Sequence, residues 1–261
     1  MLVLLSPAKS LDWSPVSPTL AATEPVLQSD MGMLMQVMKG KSAQDLSALM
    51  HLSDSLSALN HERYSAMTGA PDASLGRPAA LAFNGDVYKG LSARTLTEAD
   101  LEWANGRLAI LSGLYGVLRP LDRIEPYRLE MGTRLPTGRG AHLYDFWDDR
   151  VTKVLNGWLK THDPAVVVNL ASNEYARVVK KKLLNARIVT PLFKEIDKGK
   201  VKTISFFAKR ARGMMARYIV EARVQEPEAL LDFSGGGYRF DPDLSKDDSW
   251  VFTRPKPPPA R

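Results

Sequence analysis

The chain has 261 residues, and 44% of them are hydrophobic, which is enough apolar material for a full hydrophobic core. It contains no cysteine, and this excludes disulfides, thiolate metal sites and redox catalysis at a thiol. No uninterrupted apolar run is long enough for a membrane-spanning helix, so we expect no contact with a membrane.

The net charge of +6 is distributed unevenly along the chain. Residues 177–223 contain fourteen lysines and arginines but three acidic residues, a net charge of +11, whereas the rest of the chain carries −5. One window therefore supplies the whole positive balance. Such an asymmetry is typical of proteins that bind a polyanion.

Hydrophobic patterns divide the chain into short strands and helices. Apolar or β-branched runs predict strands at residues 2–5, 79–83, 108–111, 166–170, 187–190, 201–206 and 250–253. Helical periodicity predicts helices at residues 25–38, 43–50, 52–67, 98–105, 146–160 and 207–224. Thr97 precedes two acids, Glu98 and Asp100, as expected of a helix N-terminal cap.

These elements predict one compact α/β domain of the mixed α+β type over residues 1–253, with a central mixed sheet flanked by helices. Residues 254–261 are rich in proline, and we expect them to form a flexible tail. No Gly-x-Gly-x-x-Gly follows a strand, which argues against a dinucleotide-binding fold, and no Walker-type loop occurs.

Residues 111–132, which read LSGLYGVLRPLDRIEPYRLEMG, are the densest part of the chain in groups that do chemistry. Gly113 and Gly116 form a turn whose bare backbone could approach a phosphate closely. A glycine-rich turn between two apolar segments resembles the hairpin of helix-hairpin-helix DNA-binding motifs. The alternative is a tight strand-to-helix connection without a ligand. We predict DNA contacts at Gly113, Gly116, Arg119 and Arg128.

Six sequence blocks, found in one order along the chain, carry a family resemblance. They are LLSPAKSLD (4–12), FNGDVYKGL (83–91), the segment 111–132, LYDFW (143–147), NLASNEY (169–175) and ISFFAKRARGMMARYI (204–219). On these blocks the chain resembles the YaaA family of bacterial peroxide stress resistance proteins. One departure is Asn84, which stands where the family often has a lysine.

The resemblance implies a cytoplasmic bacterial protein that protects cells from hydrogen peroxide. It also implies DNA binding through a positively charged cleft and a helix-hairpin-helix-like element, within an unusual single-domain α/β fold. It does not imply a defined catalytic reaction.

The predicted helix at residues 207–224 separates into an apolar face and a basic arc. The apolar face, expected to dock on the core, contains Phe207, Ala211, Met214, Met215, Tyr218 and Ala222. The basic arc contains Lys209, Arg210, Arg212, Arg217 and Arg223, together with Ala216 and Val220. Gly213 would let a phosphate backbone approach this arc.

A second basic cluster consists of Arg177 and three successive lysines, Lys180, Lys181 and Lys182. Clusters of this kind are often solvated helix ends, but few acids interrupt the basic positions of residues 177–223. We therefore predict that this cluster and four residues of the basic arc contact DNA phosphates. The four are Lys209, Arg210, Arg212 and Arg217.

Three of the blocks follow predicted strands, at the sheet edge where α/β proteins place their sites. If these strand ends converge, they form a polar pocket in which Lys9, Asp86 and Glu130 are the candidate catalytic residues. Lys9 beside Asp86 could support base-excision or lyase chemistry, in which the lysine attacks a sugar carbon and the acid assists. The alternative, which we favour, is a buried ion-pair network that holds the loops in register.

The histidines do not predict a metal site, because His51, His61, His142 and His162 lack the spacing of metal ligands. We predict neither a metal nor a cofactor. Sequestration of iron would fit peroxide protection, but the scarcity of histidine and the absence of cysteine argue against it.

The residues and the resemblance together predict a DNA-binding protein of the peroxide stress response. It would contact phosphates of double- or single-stranded DNA through a basic cleft and favour distorted structures. The alternative is an enzyme, similar to a glycosylase or lyase, that acts on a nucleobase or nucleoside in a lysine–carboxylate pocket.

Overall fold

The computed structural model describes residues 1–17, 20–72 and 74–258. Its strands are β1 (Leu2–Leu5), β2 (Ser10–Leu11), β3 (Arg77–Pro78), β4 (Phe83–Asn84), β5 (Leu108–Ser112), β6 (Gly116–Leu118), β7 (Arg123–Ile124), β8 (Val166–Asn169), β9 (Arg187–Asp197), β10 (Lys200–Lys202), β11 (Arg239–Lys246) and β12 (Ser249–Pro255). Eight of them form a mixed sheet in the order β11-β12-β9-β8-β1-β5-β6, with β10 paired to β9.

The middle of this sheet is parallel, and antiparallel strands complete it. β5, β1, β8, β9 and β12 run parallel to one another, whereas β6 pairs antiparallel with β5, β10 with β9 and β11 with β12. β1 has the sequence LVLL and is buried at every position. Parallel strands are covered on both faces, and this is why they appear in the sequence as continuous apolar runs.

The helices surround this sheet and share one hydrophobic core with it. They are α1 (Gln28–Lys39), α2 (Ala43–Met50), α3 (Asp54–Ala66), α4 (Ala79–Ala82), α5 (Asp86–Leu91), α6 (Glu98–Asn105), α7 (Leu143–Trp147), α8 (Arg150–Leu159), α9 (Asn173–Ala176) and α10 (Ser205–Glu221). Four short 3-10 segments lie at Ala93–Thr95, Lys181–Leu183, Pro227–Asp232 and Gly235–Gly237. The mixed α/β fold predicted from the sequence is confirmed.

Local signals predicted several elements correctly. The helices predicted at residues 43–50 and 98–105 coincide with α2 and α6. Thr97 caps α6, since its side chain accepts a hydrogen bond from the backbone N–H of Asp100, whose carboxylate in turn accepts one from the backbone N–H of Thr97. Such a reciprocal pair satisfies two backbone donors at the start of a helix.

Several predicted elements were wrong in kind or in length. The strand predicted at 201–206 ends at Lys202, and α10 already begins at Ser205. Residues 79–83 form helix α4 followed by the start of β4 instead of one strand, because a short apolar run fits either structure and alanine favours the helix. The predicted helix at 146–160 is two helices. Between them, Asp148 adopts a left-handed φ of 41° and ends α7.

The C-terminal strand is longer than predicted. β12 runs to Pro255, which pairs with Ile196 of β9, so Arg254 and Pro255 belong to the sheet and not to the tail predicted from residue 254. Pro259, Ala260 and Arg261 lie outside the described residues. Among the residues that are described, no helix has both the length and the apolar composition needed to cross a membrane.

α10 and α5 pack so closely that their backbones are in direct contact. A Cβ atom on Gly213 would lie 1.8 Å from the carbonyl oxygen of Val87, and a Cβ on Gly90 would lie 2.1 Å from that of Arg210. Gly213 therefore serves helix packing and is not available to a phosphate, which corrects the role predicted for it. Ala216 and Val220, placed in the basic arc by the periodicity, are also buried.

Beside the first strand lies a buried imidazole. His162 is 7% exposed, and its Nδ1 lies 3.0 Å from the amine of Met1, which donates the hydrogen bond. Burial, together with the charges of the amine and of Arg107, lowers the pKa of His162 to about 4. The ring is therefore neutral in the folded protein at pH 7.

This histidine predicts a loss of stability in mild acid. Between its folded pKa near 4 and its unfolded pKa near 6.5, the unfolded chain binds more protons, so stability present above pH 6.5 is lost as the pH falls. We expect the free energy of unfolding to decrease by on the order of 2 kcal/mol between pH 7 and pH 4.5, as measured by urea unfolding. His162→Gln should flatten this dependence, whereas His51→Gln, at an exposed position, should leave it unchanged. Identical profiles for the two variants would contradict the assignment.

Candidate functional site

A cavity of about 310 Å³ lies between three chain segments, each of which follows a strand. Residues 6–10 follow β1, residues 172–175 follow β8, and residues 84–88 extend from β4 into α5. β1 and β8 are parallel neighbours, so their carboxyl ends meet at one edge of the sheet. The predicted convergence of these blocks is present, and Tyr127, Arg128, Leu129 and Glu130 join them in the wall.

Ser6 ties the three segments together. Its Oγ accepts a hydrogen bond from the backbone N–H of Ser172 at 2.9 Å and lies 3.3 Å from the hydroxyl of that residue. Its carbonyl oxygen accepts a hydrogen bond from the Tyr88 hydroxyl at 3.1 Å. These bonds hold the ends of β1 and β8 and helix α5 in fixed register around the cavity.

An ion-pair triad lies at the cavity wall. Lys9 Nζ is 3.0 Å from Glu130 Oε2, and Arg128 Nη2 is 3.2 Å from Glu130 Oε1. Asp86 lines the same cavity, but the carboxylate that pairs with Lys9 is Glu130. The three candidate catalytic residues therefore line one cavity. The ion-pair partner of Lys9 is Glu130 and not Asp86, the partner expected from the sequence. Their role in catalysis stays a prediction.

Two arginines that line the cavity lack some of the hydrogen-bond or ion-pair partners that a guanidinium group usually has. Arg128 Nε is buried and has no hydrogen-bond partner among the described residues. Arg212, on α10, is partly buried, and burial lowers the pKa of its guanidinium. Within residues 1–17, 20–72 and 74–258, no carboxylate forms an ion pair with Arg212. Lys209, one turn earlier on α10, also lines the cavity. The site is therefore suited to an anion.

Three tyrosines supply the aromatic part of the wall. Tyr88 and Tyr127 are buried, and Tyr175 is 9% exposed. Burial raises the pKa of each phenol, so all three are neutral at physiological pH. The Tyr127 hydroxyl lies 2.6 Å from Ser112 Oγ in the interior. These rings provide apolar surface next to the cationic groups.

The glycine-rich turn is not part of this site. Gly113 and Gly116 lie in the turn between β5 and β6, which pair antiparallel and are buried. A Cβ on Gly113 would lie 2.3 Å from the carbonyl oxygen of Leu129. The turn joins two strands rather than two helices and is closed to solvent. This corrects the prediction of a helix-hairpin-helix-like element and of DNA contacts at these glycines.

Arg119 and Arg217 hold the fold together. Arg119 Nη2 is 3.3 Å from Asp122 Oδ1, and the Asp122 side chain is fully buried. Arg217 Nη1 donates hydrogen bonds to two backbone carbonyls and a hydroxyl of residues 91–95, while its Nη2 is 2.8 Å from Glu221. Because both side chains are occupied within the protein, their predicted part in DNA binding is not supported by this geometry.

The remaining predicted contacts lie at the surface. Lys181 and Lys182 are exposed in the 3-10 segment that begins at Lys181, and Lys180 Nζ is 3.5 Å from Asp148. Lys209 and Arg210 are exposed at the start of α10. These positions are accessible to a large anionic partner.

One basic element was not predicted from the sequence. β9 and β10 form a hairpin whose turn residues, Lys198 and Gly199, both have a positive φ. β10 is exposed at every position and contributes Lys200 and Lys202. The signal was the Lys-Gly pair between two β-branched segments, since such pairs suit the two-residue turns of hairpins. Lys198, Lys200 and Lys202 come directly before α10 along the chain, and α10 continues the basic residues with Lys209 and Arg210.

No obvious metal site accompanies these groups. Across the described ranges, no three His, Asp or Glu side chains are close enough together to hold a metal ion.

Comparison with known proteins gives the family. The profile of the family described as peroxide stress protein YaaA matches residues 1–244. A UPF0246 protein of Caulobacter vibrioides is 50% identical over 257 residues, which cover 98% of this chain and all of the relative. UPF0246 proteins of Burkholderia mallei and Burkholderia pseudomallei are 50% identical over 256 residues, covering 97% of this chain and 98% of each relative. The chain therefore belongs to the peroxide stress protein YaaA family, and this membership supports a role in oxidative stress.

Proposed function

We propose that the protein binds DNA through a basic surface and thereby limits the damage that peroxide causes. The basic surface consists of Lys198, Lys200, Lys202, Lys209 and Arg210, which follow one another through the β9–β10 hairpin and the first turns of α10. The observation that carries the proposal is that all five side chains are exposed and that no described acidic residue pairs with them.

Several other surface bases are paired with acids. Arg187 pairs with Glu228 and Asp248, and Lys256 pairs with Asp197. Surface cations that only keep a protein in solution are usually interleaved with acids in this way. A run of unpaired cations instead produces a positive field that attracts a polyanion, and phosphates are the groups that lysine and arginine contact on DNA.

The binding would depend on phosphates and not on particular bases. The basic surface contains one arginine and four lysines and no amide side chain that reads base edges. We infer that affinity varies little with sequence and more with the shape of the DNA, with a preference for distorted structures over regular duplex. Single strands would also bind, since the phosphate contacts are the same.

The test is a charge reversal with a matched control. Lys209→Glu/Arg210→Glu should reduce the affinity for a labelled duplex at least tenfold at 0.1 M salt, measured by fluorescence anisotropy. Two lost phosphate contacts should also make the log–log salt dependence shallower by about 2, because each contributes about 0.9.

The control is Lys160→Glu/Lys246→Glu, which changes the net charge equally at two exposed positions outside the basic surface. It should bind close to the parent protein, apart from a small general effect of net charge. Equal losses in the two double variants would show that total charge, and not the basic surface, determines binding. No binding by the parent protein at low salt would reject the proposed function.

A further inference from the structure

The cavity beside the basic surface is lined by more cationic than acidic side chains, so part of its positive charge is not balanced. Glu130 is shared between Lys9 and Arg128, and Glu174 Oε1 accepts a hydrogen bond from the backbone N–H of Gly132. Buried N–H donors nearly always have an acceptor, yet Arg128 Nε has none among the described residues. Arg212 likewise has no acidic partner there. An oxygen-rich anion in the cavity would give Arg212 the acidic partner that it lacks and would add a second anionic partner for the Arg128 guanidinium.

The size and the walls of the cavity restrict what this anion can be. Its volume, about 310 Å³, is near the lower limit of sites that hold a small organic ligand. Tyr88, Tyr127 and Tyr175 offer apolar aromatic surface. Asp86 lines the cavity without an ion pair in the described part of the chain, and its carboxylate could accept a hydrogen bond from a ring N–H or an amino group. A phosphate joined to one heterocyclic ring matches these features.

We propose that the cavity binds a single nucleotide, with its phosphate at Arg128 and Arg212 and its base against the tyrosines. This inference rests on the proposed function, because bound DNA would supply the ligand. The ligand would be a nucleotide that has left the base stack of that DNA. An unpaired nucleotide leaves the stack at the lowest cost, so the cavity would give DNA with a bulge an advantage over regular duplex. A free mononucleotide has the same chemistry and is the other source to be tested.

The first measurement uses the parent protein alone. Isothermal titration calorimetry with 2′-deoxyadenosine 5′-monophosphate and with 2′-deoxyadenosine should show binding of the monophosphate and at least tenfold weaker binding of the nucleoside. Because this comparison needs no duplex, it remains informative even if the basic surface does not bind DNA. Equal binding of the two compounds, or binding of neither, would overturn the assignment of the phosphate to the arginines.

The second measurement compares two labelled duplexes that differ by one bulged nucleotide. The parent protein should bind the bulged duplex at least tenfold more tightly, and Arg128→Gln should reduce this ratio to less than twofold. The matched variant Arg210→Gln, in the basic surface, should weaken binding of both duplexes and keep the ratio. A thermal unfolding midpoint equal to that of the parent confirms that Arg128→Gln is folded, and Arg212→Gln provides a second variant of the same site.

The outcomes separate the cavity from the basic surface. If Arg128→Gln loses the preference for the bulged over the regular duplex, this result supports the cavity as the site of a nucleotide displaced from DNA. Binding of the monophosphate without any preference for the bulge supports the cavity as a site for free nucleotides. If duplex binding is normal while both measurements are negative, the cavity proposal is wrong and the proposed DNA-binding function still holds.

Discussion

Gly213→Ala is expected to lower the free energy of unfolding by about 2 kcal/mol or more, because the new methyl group has no space. Its Cβ would lie 1.8 Å from the carbonyl oxygen of Val87 and 2.7 Å from the backbone nitrogen of Leu91. Both are main-chain atoms of α5, so they can move only if the helix moves. α5 in turn carries Asp86 and Tyr88 of the cavity wall, and the variant should disturb the site as well as stability.

Gly157→Ala is the matched control for this substitution. Gly157 also lies within a helix, α8, but nothing is within 4 Å of the position that its Cβ would take. Alanine there should stabilise the protein by about 0.5–1 kcal/mol, since it restricts the unfolded chain and favours the helix. Urea unfolding of both variants measures the difference. Similar stability for the two would show that α5 and α10 can separate without cost.

Glu195→Ala is expected to destabilise the protein by about 3–5 kcal/mol, because it leaves a charge of opposite sign uncompensated in the interior. The Glu195 side chain is fully buried, and its Oε1 is 3.6 Å from Nε of Arg254, which is 11% exposed. The Tyr238 hydroxyl and the backbone N–H of Ile204 also donate hydrogen bonds to this carboxylate. Its loss would therefore loosen the connection of β9 with β12 and with the start of α10.

Asp197→Ala provides the comparison on the same strand. Asp197 pairs with Lys256 at 3.0 Å, but this pair is exposed to solvent. Exposed ion pairs contribute little, so the unfolding midpoint should stay close to that of the parent protein. The two variants can be compared by thermal and by urea unfolding. A small effect of Glu195→Ala would mean that water reaches Arg254 in the variant and replaces the lost carboxylate.

Elements with a strong local signal could be predicted from the sequence. β1 is an apolar run that ends at Ser6 and Pro7, and the acids after Thr97 mark the start of α6. Such signals depend on neighbours a few residues away. Residues 79–83 lacked a comparable signal, because five apolar residues are compatible with a strand and with a helical turn. Packing against the rest of the protein decided between the two.

The candidate site could be predicted in part. Polar residues directly after β1 and β8 were expected at one edge of the sheet, and the cavity lies there. The partner of Lys9 could not be predicted, since Glu130 is more than a hundred residues away along the chain and reaches the lysine only through the packing of residues 127–130. The basic β9–β10 hairpin was overlooked because Lys198 and Lys200 lay between two predicted strands, whereas Lys202 lay within one of them.

The sequence by itself located the central parallel strands and the longer helices, and it determined the concentration of positive charge in residues 177–223 and the family resemblance. The tertiary structure alone decided the roles of the glycines and arginines that the sequence singled out. Gly113 and Gly213 are both glycines that admit a close backbone neighbour, and the neighbour is another part of the protein in each case. Arg119 and Arg217 are bonded within the fold, whereas Arg128 and Arg212 line the cavity. The physical reason is that residue type sets which contacts a side chain can make, while the partner is set by which distant segments the fold brings together.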